Sequence, residues 1–210
     1  MSVLFPMFMK LGGRRCLVVG AGTVAEPKIS SLLEADAVVK VVAPEATEQV
    51  RSLARESRIE WEQREFRESD VENCFLVVSA TNSVHVNTAV YREAEARGVL
   101  CNAVDDPERC DFFYPAVVRR GPLQIAISTA GYSPALAQRL RRELEEQFGP
   151  EYSGWVEQLG RERTRLRSDS ATPAEECRQL LHTQASASSY RKFISDRHIT
   201  VNSQETQDAR

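Results

Sequence analysis

Gly20-Ala21-Gly22-Thr23-Val24-Ala25 sits between an apolar run, RRCLVV, and a segment with helical apolar spacing, VAEPKISSLLEA. That G-x-G-x-x-A spacing, entered from a strand and left through a helix, narrows the possible folds more than any other feature. The first glycine allows a tight turn and the second lets backbone approach a pyrophosphate. The alanine permits close helix–sheet packing, and the helix N-terminus faces the anion. Gly20, Gly22, Thr23 and Val24 are the candidate cofactor-binding residues of this turn; a glycine turn without a ligand is the competing reading.

The pattern around the turn agrees with a dinucleotide fold. AVVKVVAP and FLVVSATN read as buried strands, IEWEQREF as an edge strand, and VLCNAVDD as the next strand. ATEQVRSLARES and VHVNTAVYREAEARG read as the intervening helices, the latter ending at Gly98 as a left-handed cap. Strand and helix alternate, which predicts an α/β fold with a Rossmann-type parallel sheet covered on both faces. After Asp111 the pattern changes. YPAVVRRGPLQIAIST predicts two strands joined at Arg120-Gly121-Pro122, and Ser133-Pro134 opens a helix through Phe148. Two more helical segments follow, EYSGWVEQLGRERTRLR and PAEECRQLLHTQ, joined by SDSAT, with HITVNSQETQDAR as a frayed tail. The expected organisation is a dinucleotide-binding domain over 1–113, a small α+β region over 114–148, and a helical C-terminal domain over 149–210.

Composition excludes several partner classes. Net charge is −3 and the pI about 5.8, so no global positive field favours nucleic acid or an anionic membrane. No apolar run is long enough to span a bilayer, and MSVLFPMFMKLGG lacks the parts of a signal peptide. A cytoplasmic location is expected. The five cysteines show no C-x-x-C pairing and read as reduced, structural thiols.

Candidate chemistry clusters at the predicted strand ends. Ala43 and Pro44 close the second strand with Glu45 just beyond, and Lys40 lies too early to hold a 2′-phosphate, so NAD is expected over NADP. Ala80, Thr81 and Asn82 follow the fourth strand, where a dinucleotide should run. Asp105 and Asp106 close the fifth. A carboxylate there can take a proton while a nicotinamide takes a hydride, which is a dehydrogenation. Asp106 precedes Pro107 and suits a turn, so Asp105 is the chemical candidate. Ser128, Thr129, Gly131 and Ser133 lie in a small-residue loop before a helix N-terminus, a receptor for carboxylate, with Arg119, Arg120 and Arg139 as charge-assisted donors or as plain solvated surface. His85 reads as a surface residue, His182 and His198 lack convergent ligands, and no metal site is expected.

From Phe5 to Glu145 the chain resembles the precorrin-2 dehydrogenase family, the siroheme-synthase N-terminal module. The landmarks are FPMFMKLGGRRCLVVGAGTVA, SLLEADAVVKVVAPE, the ATN triplet, and NAVDD with F-x-x-P-A, RGPLQIAIST and G-x-SP-x-LA. The resemblance implies NAD+-dependent oxidation of precorrin-2 to sirohydrochlorin, with Fe2+ inserted as a chelation substrate in some members. It implies that Asp105 matches the family's essential aspartate and Thr129 a position where some relatives carry serine. It also implies a polycarboxylated tetrapyrrole substrate, and that 114–148 is a dimerisation and substrate-binding region. The apolar hairpin and helix predict a homodimer built there. Pro27 before Lys28 and Ala130-Gly131 depart from the family's Arg-Lys and Gly-Gly pairs. At this length no fused methyltransferase is expected. A nicotinamide-binding regulatory module is the rival, but it gives no reason for NAVDD joined to RGPLQIAIST. A hydroxy-acid dehydrogenase would want a placed His or Lys/Tyr pair.

Overall fold

The computed structural model describes residues 4–169 and 172–196. His198, the expected tail and part of the SDSAT link lie outside the described residues. The chain divides into two compact units, one over Leu4–Tyr114 and one from Pro115 onward.

In the first unit, β1 (Arg15–Val19), β2 (Val38–Val42), β3 (Glu60–Glu62), β4 (Leu76–Ser79) and β5 (Leu100–Ala103) form one sheet in the order β3-β2-β1-β4-β5. Every pairing is parallel. The helices are α1 (Glu26–Leu33), α2 (Glu48–Arg55) and α3 (Val84–Arg97). This is the Rossmann-type α/β arrangement expected. Strand residues alternate between two apolar layers. Cys16, Val18, Val39, Val41 and Val78 pack with Ile29 and Leu32 of α1 and Val50 of α2. Leu17, Val19, Val77 and Cys101 pack on the other face with Val90 and Ala94 of α3. Both faces are therefore covered, which is why these strands read as continuous apolar runs.

Local signals set the helix ends. Thr47 and Ser83 cap α2 and α3 through the N–H groups of Val50 and Val86. Gly98 closes α3 at φ +65°, the left-handed geometry that favours glycine. β3 is shorter than its alternating sequence suggests. The N–H of Arg64 turns back onto Glu62 O at 2.9 Å, and its guanidinium leaves the strand for Asp70, with Nη1 to Oδ2 at 2.8 Å.

The second unit opens with β6 (Ala116–Arg120) and β7 (Leu123–Ile127), an antiparallel pair in a sheet of their own. Gly121 turns between them at φ +55°, and a Cβ there would lie 2.2 Å from Ser153 Oγ, so the close approach of the next helices needs glycine. Then come α4 (Pro134–Gln147), α5 (Tyr152–Ser168) and α6 (Ala174–Gln184). A further helix, α7, covers 187–196, where no helix was expected. Its Ala/Ser-rich start carries little apolar periodicity. Packing decides it: the Tyr190 ring stacks 4.4 Å from Tyr152 and 4.9 Å from Trp155, and its hydroxyl donates to Glu151 at 2.6 Å. Among the described residues no helix is long and apolar enough to cross a membrane.

Candidate active site

The chain runs β1, β2, β3 outward and then returns to place β4 on the other side of β1. In open parallel sheets such a reversal marks where ligands bind, outside the carboxyl ends of the strands. Gly20 follows β1 at that end with φ +102°, and a Cβ on Gly20 would lie 2.3 Å from Ala80 O. Only glycine fits so near that carbonyl. A Cβ on Gly22 would meet nothing within 4 Å, so the second glycine borders open space, as an approaching phosphate group requires. Thr23 and Val24 are exposed, whereas Ala25 is fully buried against the sheet. The residue types and the space left by the glycines fit a dinucleotide.

After β4, Asn87 of α3 organises the loop. Its Oδ1 accepts from Ser79 Oγ at 2.8 Å and Thr81 Oγ1 at 2.6 Å, while its Nδ2 donates to Thr81 O at 3.1 Å. Ala80 and Thr81 are half-buried and Asn82 exposed. The sequence held a hint of this role, a polar residue one turn into α3. At the end of β2, Ala43 is buried and its carbonyl accepts from Trp61 Nε1 at 3.1 Å, while Pro44 and Glu45 are exposed.

Asp105 is exposed just past β5, at φ +62°. A non-glycine residue in that region needs surrounding support, and the following segment supplies it. Residues 110–112 return antiparallel beside β5, with Asn102 opposite Cys110. Asp111 exchanges two bonds with Cys101, its N–H donating to Cys101 O and its Oδ2 accepting from Cys101 N–H, each 2.8 Å. Asn102 Nδ2 donates to Phe112 O at 2.8 Å, and the Cys110 thiol donates to Ala103 O at 3.1 Å. Asp106 bonds the guanidinium of Arg109, and its N–H donates to Ala103 O at 3.1 Å, consistent with a turn-forming role. The latch was invisible beforehand, because Asp111 reads as a loop residue until β5 is seen to have a free edge.

No local sequence signal joins Lys28 to Tyr114. The Lys28 ammonium lies 3.9 Å over the centroid of the Tyr114 ring. Burial pushes the Lys28 ammonium toward its neutral form, and the charge of Asp105 opposes that shift. His85 is exposed on α3.

In the second unit, Ser128 Oγ accepts from Ala130 N–H and Thr129 Oγ1 from Ser133 N–H, each at 3.1 Å. Ser133 Oγ in turn caps α4 through Leu136 N–H at 3.2 Å. Ala130 and Gly131 take φ +49° and +82°, which bends the loop back on itself. Arg119 is exposed. Arg120 has a different job from the substrate contact expected of it: Nε donates to Phe148 O at 2.7 Å and Nη2 to Glu145 O at 2.9 Å. Its fork closes the C-terminus of α4, where carbonyls lack helical partners and the dipole is negative. Arg139 pairs with Glu143 at 3.1 Å on the α4 surface. Among the described residues no group of three or more His, Cys, Asp or Glu is gathered to hold a metal.

Residues 7–116 match the family described as "Putative NAD(P)-binding", and residues 120–147 the "Sirohaem biosynthesis protein central" family. The chain belongs to the siroheme-synthase N-terminal module family. The siroheme synthase of Nitrosococcus oceani is 41% identical over 162 residues, which is 77% of this chain and 35% of that protein. That of Mannheimia succiniciproducens is 42% identical over 141 residues, 67% of this chain and 30% of the relative. The chain thus spans roughly a third of the curated relatives it matches. Among solved structures, SirC, a precorrin-2 dehydrogenase, aligns with a TM-score of 0.74 at 27% identity, covering 92% of this chain and 98% of its own. Membership of this family accounts for a nicotinamide-binding fold at the glycine turn.

Proposed function

We propose that this chain oxidises precorrin-2 to sirohydrochlorin with NAD+, a step of siroheme biosynthesis. The observation that carries the reading is Asp105, an exposed carboxylate in left-handed backbone just beyond β5, at the same carboxyl end of the sheet as the glycine turn after β1. Gly20, Gly22, Thr23, Val24, Ala80, Thr81 and Asn82 would hold the dinucleotide, which when bound supplies a hydride acceptor. Asp105 takes the proton from the macrocycle, so each two-electron oxidation divides into one hydride and one proton. In the second unit, Ser128, Thr129, Gly131, Ser133 and Arg119 are the proposed receptors of substrate carboxylates. Arg120 is left out because its donors already serve α4.

NAD is proposed over NADP because Ala43, Pro44 and the exposed Glu45 end β2 without a cation, and a 2′-phosphate beside Glu45 would meet like charge. A homodimer is proposed through β6, β7 and α4, since an isolated two-stranded sheet is marginal alone; only monomer on sedimentation at micromolar concentration would contradict it. The described cysteines are free, and burial pushes Cys16 up to about 11 and Cys101 up to about 12, so both stay protonated. Reduced, inert thiols suit the cytoplasm. The exposed Asp105 carboxylate would also serve metal insertion, with Fe2+ as substrate; an assay with sirohydrochlorin and Fe2+ against the uncatalysed background decides it.

The primary test is a spectrophotometric assay of precorrin-2 oxidation with NAD+ and NADP+. Asp105→Ala should lower turnover by about a hundredfold to ten-thousandfold while NAD+ affinity is kept. Wild-type turnover in that variant would remove the role given to Asp105.

A further inference from the structure

The first turn of α1 carries a lysine that the fold leaves without a carboxylate partner. Lys28 is half-buried, and its contacts among the described residues are the Tyr114 ring at 3.9 Å and the longer-range charge of Asp105. Neither gives its three N–H donors an acceptor. Partial desolvation of an ammonium is costly, and a ring face returns only part of that cost, so an anionic oxygen arriving beside it would be stabilised.

Its location is set from two sides. Ala25, buried against the sheet, fixes the start of α1 just past the glycines. Tyr114 ends the segment that begins at Asp105, and the Cys101–Asp111 and Asn102–Phe112 bonds pin that segment to β5. The same stretch therefore presents the carboxylate at one end and grips the lysine at the other. Glu26, one residue into α1, forms no ion pair with Lys28 among the described residues.

We infer that Lys28, held by the Tyr114 ring, is an anion-binding residue that seats a carboxylate arm of the macrocyclic substrate beside Asp105. The division suits a polycarboxylate: the ammonium holds a peripheral acid group while the neighbouring carboxylate stays available for a ring proton. The ligand chemistry is an anionic oxygen. The phosphates of the dinucleotide are the other source of it, and the experiment separates the two. The inference rests on the tetrapyrrole reading above.

The test uses Lys28→Met, which keeps an apolar stem for the Tyr114 ring but removes the charge, and Lys28→Arg, which restores it. Equilibrium binding of sirohydrochlorin and of NAD+ is measured separately on each full-length protein, alongside melting temperature. The expected result is sirohydrochlorin affinity about tenfold weaker in Lys28→Met, as loss of one charged contact implies. NAD+ affinity should stay within about twofold, and Lys28→Arg should recover most of the loss. Weakening of NAD+ alone would transfer the lysine to the dinucleotide and overturn the substrate assignment. Unchanged affinity for both ligands, or a lowered melting temperature with neither affinity changed, would make Lys28 a packing residue and overturn the inference. Failure of the wild-type protein to bind or oxidise any tetrapyrrole would instead sink the functional reading itself.

Discussion

The two units are stabilised in different ways. In Leu4–Tyr114, strands bury both faces, and the charged groups that matter are brought together from distant positions. Asp70 sits between Lys40, at 3.3 Å, and Arg64, at 2.8 Å, joining three segments of the chain. From Pro115 onward only Ala116, Val118, Ala137 and Leu166 are buried apolar residues among those described. Ion pairs there lie along single helices, as in Arg139–Glu143, Arg141–Glu145, Arg165–Glu162 and Arg178–Glu175. Such pairs support a helix but do not join elements, and each is worth little. The contrast teaches that the first unit carries its own core, while the second relies on rings, caps and, on the proposal above, a second copy.

The sharpest attempt to break the comparison is in the first core. Leu17→Ala, at a fully buried position, should cost about 3 kcal/mol in urea unfolding. A loss below about 1 kcal/mol would show that this layer is looser than its burial implies.

Acid comes next. Burial pushes the Asp70 carboxyl up, but hydrogen bonds from Arg64 and from the Arg67 N–H outweigh it and bring it down to about 2. Its folded value lies below the unfolded value near 3.9, so its contribution is complete above about pH 4 and fades as pH falls toward 2. Roughly 2 kcal/mol of stability should be lost across that window. Urea midpoints at pH 7, 4 and 2 would show it, and Asp70→Asn should flatten that part of the profile.

Smaller effects belong to the second unit. Arg120→Met should cost about 1 kcal/mol and raise amide exchange in the last turn of α4, because two carbonyls lose their donor. Arg139→Ala should change stability by less than about 0.5 kcal/mol. A larger loss for Arg139 than for Arg120 would reverse the ranking of exposed pairs and helix-end contacts.

Much of the first unit was legible because its determinants are local or periodic. The apolar runs around Val18, Val41 and Val78, the caps at Thr47 and Ser83, and Gly98 each carry their signal within a few residues. Asp105 could be marked because it follows such a run. What Asp105 stands on could not. The latch needs Asp111 to reach an edge of β5 that exists only once β5 has taken the outer place in the sheet. The Lys28–Tyr114 contact joins positions 86 apart, and nothing in either neighbourhood announces the other. Arg120 looked like a substrate ligand because a charge in sequence carries no direction.

α7 makes the same point from the other side. Its opening residues favour no structure strongly, and a cluster of aromatic rings supplied from α5 settles it. By itself the sequence determined the strand–helix alternation, the glycine turn and the helix caps, since short-range sterics and apolar spacing suffice for each. Tertiary structure alone decided which carboxylates pair, which arginine closes a helix and which ring the Lys28 ammonium comes to rest over. Those outcomes depend on distances between elements that no local pattern encodes.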